Sequence, residues 1–160
     1  MLFRSVAQRL APLHVIAVAS PEFLQGRKLP LHPDDLATLD GICMRSAVSG
    51  RLRVWRMCNR EGSETTLERK TSVVLDDPEA ICRAALMGLG VAMIATPYVE
   101  RHLESGALLR LVPDWYADLG GISIYFASQK LLPAKTRAFV DHLTTAFHEQ
   151  NLARRFSAKE

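Results

Sequence analysis

Between two apolar segments lies a polar loop, Arg45-Ser-Ala-Val-Ser-Gly-Arg51, which gathers two guanidiniums, two hydroxyls and a series of backbone amides. Such a loop can hold a carboxylate through charge-assisted hydrogen bonds, with Arg45, Ser46 and Ser49 as its polar anchors. It can equally be a surface turn whose serines bond their own backbone; the residues alone leave both readings open. Asp76-Asp77 offers adjacent carboxylates, the raw material of acid–base chemistry. Asp77, however, directly precedes Pro78 and Glu79, so a helix cap and a dipole partner are the simpler reading. A strand-to-helix turn in an open α/β sheet is still a place where ligands sit, which keeps Asp77 as a candidate contact.

Other chemistries find little support. The five histidines (His14, His32, His102, His142 and His148) form no metal pattern with nearby acids. His148-Glu149 is not followed by the second histidine of a zincin. The three cysteines, Cys43, Cys58 and Cys82, are widely spaced and form no CxxC pair, so no metal site or redox pair is expected. Cys82 falls within an apolar helical pattern and reads as core rather than nucleophile. No Gly-x-Ser-x-Gly elbow is present. Gly88-Leu89-Gly90 follows a helix and precedes a strand, the reverse of a phosphate-binding loop, and reads as helix termination in left-handed geometry. An enzyme is therefore not expected, nor a cofactor.

These residues must be positioned by alternating strands and short helices. His14 to Ala19 is a compact apolar run, most simply a buried strand. Helix starts follow at Ser20-Pro21-Glu22 and at His32-Pro33-Asp34-Asp35. Gly41 to Ser46 reads as a strand, Leu52 to Val74 as hairpin-like, with turn chemistry around Gly62. From Ser72 to Ala95 the pattern is a βαβ unit: an apolar strand end, a helix capped by Asp77, and the strand Val91 to Ala95. A helix opens at Thr96-Pro97, strands are expected at Leu108 to Val112 and Ile122 to Ala127, and Pro133 opens the last helix. Phe139, Val140, Leu143, Ala146 and Phe147 form one face of that helix, which should dock on the sheet. The fold class is α/β.

A chain of 160 residues, 48% hydrophobic and 23% charged, can bury a real core. The tail after Asn151 is the one stretch whose polar composition suggests disorder. The net charge of +3 is too mild to argue for nucleic acid by itself. Apolar runs are too short to span a bilayer, and no signal-peptide pattern opens the chain. No membrane association and a cytoplasmic location are expected.

Taken in order, the motifs resemble the effector-binding domain of LysR-type transcriptional regulators. Arg9-Leu-Ala-Pro-Leu13, Ala19-Ser-Pro-Glu-Phe-Leu24 and His32-Pro-Asp-Asp-Leu36 are similar to the entry into that domain's second lobe. Arg45 to Arg51 with the following Trp55, Asp77-Pro-Glu-Ala80, Gly88-Leu-Gly-Val-Ala92, Leu108 to Trp115 and Leu132 to Asp141 resemble its later segments. The resemblance runs from about Arg9 to Phe147.

The resemblance implies a periplasmic-binding-protein-like (type 2) fold of two α/β lobes with a ligand between them. On that basis residues 1–18 would be a lobe I remnant and the first hinge crossing, and 19–120 a complete lobe II. Residues 121–150 would cross back to a partial lobe I, and 151–160 would be a polar tail. The family's winged helix-turn-helix is not recognised in the chain, so DNA would be bound only through a missing N-terminal domain. The implied partners are a small-molecule effector, with a carboxylate as the candidate class, and a second copy of the chain in a homodimer or higher oligomer. By position in the pattern, Arg45, Ser46 and Ser49 are the expected ligand anchors, with Asp77 near the crossing and Tyr125 on the returning strand. A cleft lacking half its wall is expected to bind its effector weakly or not at all. The alternatives are a transporter's solute-binding protein of the same fold and a small α/β enzyme fragment.

Overall fold

The computed structural model describes residues 5–67, 70–127 and 132–159. Among these residues there are eight strands: β1 (Ser5–Ala19), β2 (Asp40–Met44), β3 (Trp55–Asn59), β4 (Glu64–Leu67), β5 (Lys70–Leu75), β6 (Val91–Ala95), β7 (Leu109–Leu111) and β8 (Trp115–Ala127). The helices are α1 (Pro21–Leu24), α2 (Pro78–Leu86), α3 (Thr96–Glu104), α4 (Ala134–Glu149) and α5 (Leu152–Arg155), with a 3-10 helix at Pro33–Thr38. The strands form one sheet in the order β4-β3-β8-β1-β6-β2-β5, and β7 pairs with β1.

Two long strands run through the whole molecule. β1 lies antiparallel to β8 from Ser5↔Ala127 to Val15↔Ala117, and its far end pairs with β6 from Val15↔Ala95 to Val18↔Ala92. The expected strand at His14 to Ala19 is thus only the inner part of β1, and that at Ile122 to Ala127 only the outer part of β8. β2 sits between β5 and β6 and is parallel to both, so β5, α2 and β6 make the parallel crossover that the sequence indicates. β3 and β4 form a hairpin that joins the sheet through Cys58↔Tyr116.

Alternation along β1 sends side chains to two cores. Val15, Ala17 and Ala19 pack with Phe23, Leu36, Trp55, Met57, Met93 and Leu111 on one face. Ile16 and Val18 pack with Ile81, Ala85, Ile94, Val99 and Leu108 under α2 and α3 on the other. A strand buried on both faces carries a continuous apolar run, which is why Val15 to Ala19 contains no polar residue.

The helix ends follow from local chemistry. Ser20 and Asp77 accept from the amides of Phe23 and Ala80, and the Asp35 carboxylate accepts from the His32 amide to close a capping box. α2 ends in paired bonds from Leu89 N–H to Ala84 O and from Gly88 N–H to Ala85 O, with Gly88 at φ +75°. Gly90, at φ +152°, lies so close to the Asp40 carbonyl that a Cβ would strike it.

The polar tail does not behave as its composition suggests. α5 and the residues after it dock on the sheet: Thr96 Oγ1 donates to Phe156 O at 2.8 Å, and Arg110 donates to Ala158 O at 2.8 Å. Arg155 grips Glu100 through two bonds of 2.6 and 3.0 Å, and Ala158 is buried. α4 lies against the outer part of β1, where Gln8 donates to Thr144 Oγ1 at 3.0 Å. Of its apolar face, Val140 is buried, Leu143, Ala146 and Phe147 are half-buried, and Phe139 is 59% exposed.

Candidate functional site at the strand-crossing edge

The parallel strands β2 and β6, with the inner part of β1, present one edge toward the point where β1 and β8 leave the larger lobe. An apolar cavity of about 480 Å³ opens at this edge. Leu13 and Val15 come from β1, Leu119 and Ile122 from β8, Met44 from the end of β2, and Met93, Ile94 and Ala95 from β6. The starts of α2 and α3 close it with Pro78, Pro97 and Tyr98, and Arg53 and Trp55 come from the approach to β3. Side chains that converge at strand ends beside helix N-termini are where open α/β sheets hold ligands.

Among the described residues, Arg53 is the one charged group on this wall. Its guanidinium carbon sits 5.2 Å from the centre of the Trp55 ring, a cation–π distance, and it has no carboxylate partner among the described residues. Trp55 is 4% exposed, and its indole N–H has no hydrogen-bond partner there. Arg53 and Trp55 are two residues apart in extended chain, so they share a face. Arg53 is itself exposed and stands at the rim of the cavity, while Trp55 and Met57, at alternate positions after it, are buried.

None of the five residues expected at the site lies on the cavity wall. Arg45 donates to Gly50 O at 2.9 Å, and its own amide donates to Leu75 O at 2.7 Å. Ser46 Oγ accepts from Ser49 N–H at 3.2 Å, and Ser49 Oγ accepts from Arg51 N–H at 3.4 Å. These three residues come together in one compact turn that satisfies its own polar groups. Asp77 is occupied as the α2 cap, accepting from Ala80 N–H at 2.7 Å. Tyr125 stands on β8 opposite Ala7 and is 73% exposed, apart from the turn.

Beside the crossing, His14 is 2% exposed. Its Nδ1 accepts from the Ala158 amide at 2.8 Å, so the ring is neutral with its proton on Nε2. Asp118 Oδ2 lies 3.9 Å from that nitrogen, too far for a hydrogen bond. Burial pushes the His14 pKa below 6.5, against the pull of Asp118 and together with the cations Lys159, Arg9 and Arg110. Among the described residues no group of three or more histidine, cysteine or acidic side chains could hold a metal ion.

A long two-strand crossing, a larger lobe built on parallel strands and a cleft at their ends define a periplasmic-binding-protein-like, type 2 fold. The regulatory domain of AphB from Vibrio vulnificus superposes with a TM-score of 0.74 at 24% identity, over 89% of this chain and 69% of that one. The regulatory domain of CrgA from Neisseria meningitidis superposes at 0.65 and 19% identity, over 89% and 69%. The family model of the LysR substrate binding domain matches residues 4–148. The chain belongs to that family. It is 30% identical over 142 residues to the HTH-type transcriptional regulator PtxR of Pseudomonas aeruginosa, covering 86% of this chain and 43% of that protein. A second relative, the uncharacterized regulator YcaN of Escherichia coli, is 27% identical over 134 residues, again over 43% of its length. The chain therefore spans less than half the length of these relatives.

Proposed function

We propose that this chain senses a small molecule on behalf of a DNA-binding regulator, and that the effector sits at the strand-crossing edge. The observation that carries this reading is the cavity formed where β1 and β8 cross, with both crossing strands in its wall. A ligand held there touches both sides of a hinge. It can then bias the lobe orientation only by binding one orientation better than the other. Bending the crossing strands would re-space whatever precedes β1. In the relatives described as HTH-type regulators that would be a DNA-reading module, and DNA is proposed as a partner through such a module.

In the same reading residues 19–120 act as the effector lobe, 1–18 and 121–150 as the crossings and part of lobe I, and the domain pairs with a second copy. Arg45, Ser46 and Ser49 serve as a polar turn at the rim that can re-aim its donors toward a carboxylate. Asp77 and Tyr125 are contacts made when lobe I closes over the edge. No catalysis is proposed, and the location is cytoplasmic; no helix among the described residues is long and apolar enough to cross a membrane.

The test is a thermal melt of the purified chain against a panel of small carboxylates and neutral metabolites. A melt that stays cooperative and is raised by one compound, in proportion to the logarithm of its concentration, is the result that supports this reading, and it would overturn the expectation that the cleft binds weakly or not at all. A melt that no compound moves, while the longer parent responds to one, would place sensing outside this edge.

A further inference from the structure

The composition of the cleft wall goes further than its location. Leu13, Met44, Met93, Ile94, Leu119 and Ile122 give an apolar floor, and two methionines among them can adapt to an irregular outline. Trp55 supplies a flat, rigid wall, with a buried indole N–H that no group among the described residues satisfies. Among the described residues the single charge on the wall is Arg53, stacked over Trp55 and free of any carboxylate partner. A guanidinium kept at the lip of an apolar cavity is poised to take an anion in a forked, charge-assisted pair. By contrast, the Arg45 guanidinium already donates to the Gly50 carbonyl.

We propose that the effector is a compact apolar acid, its hydrophobic body lodged between Trp55 and the Met44–Met93–Ile122 floor and its carboxylate held by Arg53. This rests on the reading of the edge as the effector site and names the ligand class for it. A small polar diacid would leave the floor wet and strand its second carboxylate against methionines, which costs binding. A neutral apolar molecule of the same shape would fill the floor and forgo Arg53. The probes are ranked on the chain itself, by the side chains that line the cavity.

The experiment titrates the chain with 1-naphthoate, its neutral analogue 1-naphthamide, and succinate. Binding is followed by Trp fluorescence and by methionine methyl NMR signals. The expected result is naphthoate binding roughly tenfold tighter than naphthamide, succinate weakest, and shifts at Met44 and Met93. In Arg53→Gln the two naphthyl probes should bind alike, while Arg83→Gln, at an exposed guanidinium that pairs with Glu79 away from the cavity, keeps the preference; an unchanged circular dichroism spectrum and melt show that each variant is folded. Equal binding of naphthoate and naphthamide by the native chain, or loss of the preference in Arg45→Gln but not in Arg53→Gln, would overturn the Arg53 assignment. Succinate binding best would overturn the ligand class while leaving the edge as an effector site. Shifts confined to residues away from Met44, Met93 and Trp55, or no binding of any probe up to its solubility limit, would overturn the cleft assignment itself.

Discussion

At the scale of single residues, His14 ties the hinge strand to the C-terminal tail by one hydrogen bond, and that bond needs a neutral ring. Its Nδ1 accepts from Ala158; a proton on that nitrogen would turn an acceptor into a donor facing another donor. Burial is the main reason its folded pKa lies below the 6.5 of an unfolded histidine. The unfolded chain therefore binds more protons in that range, and stability rises with pH through it. The contribution is complete above about pH 6.5 and is lost as pH falls from there toward the folded value. Melts recorded from pH 7.5 down to 5.5 should show a falling Tm, and His14→Asn, which keeps an acceptor but not the titration, should flatten that slope. An identical slope in the variant would mean that other groups carry the effect. Gly90 makes a second residue-scale point. Its positive φ and the approach of Asp40 O leave no room for a Cβ, so Gly90→Ala should cost about 1–3 kcal/mol in urea unfolding.

At the scale of elements, α2 is the best-specified helix, with a cap, a proline at its first position, an acid in the first turn and a glycine-terminated end. Removing the cap by Asp77→Ala should cost about 1 kcal/mol, read as a lowered denaturant midpoint at unchanged m-value. The change also tests the proposed ligand contact, because a purely structural Asp77 would lower stability and leave the ranking of probes unaltered. Elements such as this were legible because their signals are local. The crossing strands were not. Pro12 and Gly120-Gly121 read as breaks in a chain viewed alone. In the fold they sit where the β1–β8 register shifts: Pro12 faces Gly121, Arg9 donates to Gly120 O, and a Cβ on Gly121 would press on the Ala11 carbonyl. Long pairing across the crossing overrides each local signal. The docked tail is the same kind of case, since Phe156 and Ala158 are too few to announce a contact that depends on Thr96, Arg110 and His14 being brought together. None of the five residues expected at the site lines the cavity; which side chains face it is decided by tertiary packing, which brings Leu13, Met93 and Ile122 together from three strands.

At the scale of the whole molecule, the packing is uneven. The described residues hold two buried cores, one on each face of the sheet. A smaller region consists of the outer parts of β1 and β8 with α4, where Phe139 is 59% and Tyr125 is 73% exposed. Along Ser5 to Leu10, β1 is bonded to β8 and to no other strand among the described residues, so its other edge is open. Unpaired edges beside exposed aromatic rings are the usual setting for self-association. The chain alone should therefore show a mass that rises with concentration in light scattering. Phe139→Glu should raise the association midpoint by roughly tenfold, equivalent to ~1.4 kcal/mol, and leave the melt almost unchanged because the side chain it replaces is mostly in water. If the native chain is monomeric throughout the concentration range, this face carries no association, and pairing in the parent must be sought in its other segments. If Phe139→Glu instead lowers the melt sharply, the ring is part of the α4 packing rather than of an open surface. The two measurements together separate a sticky remnant from a settled small lobe.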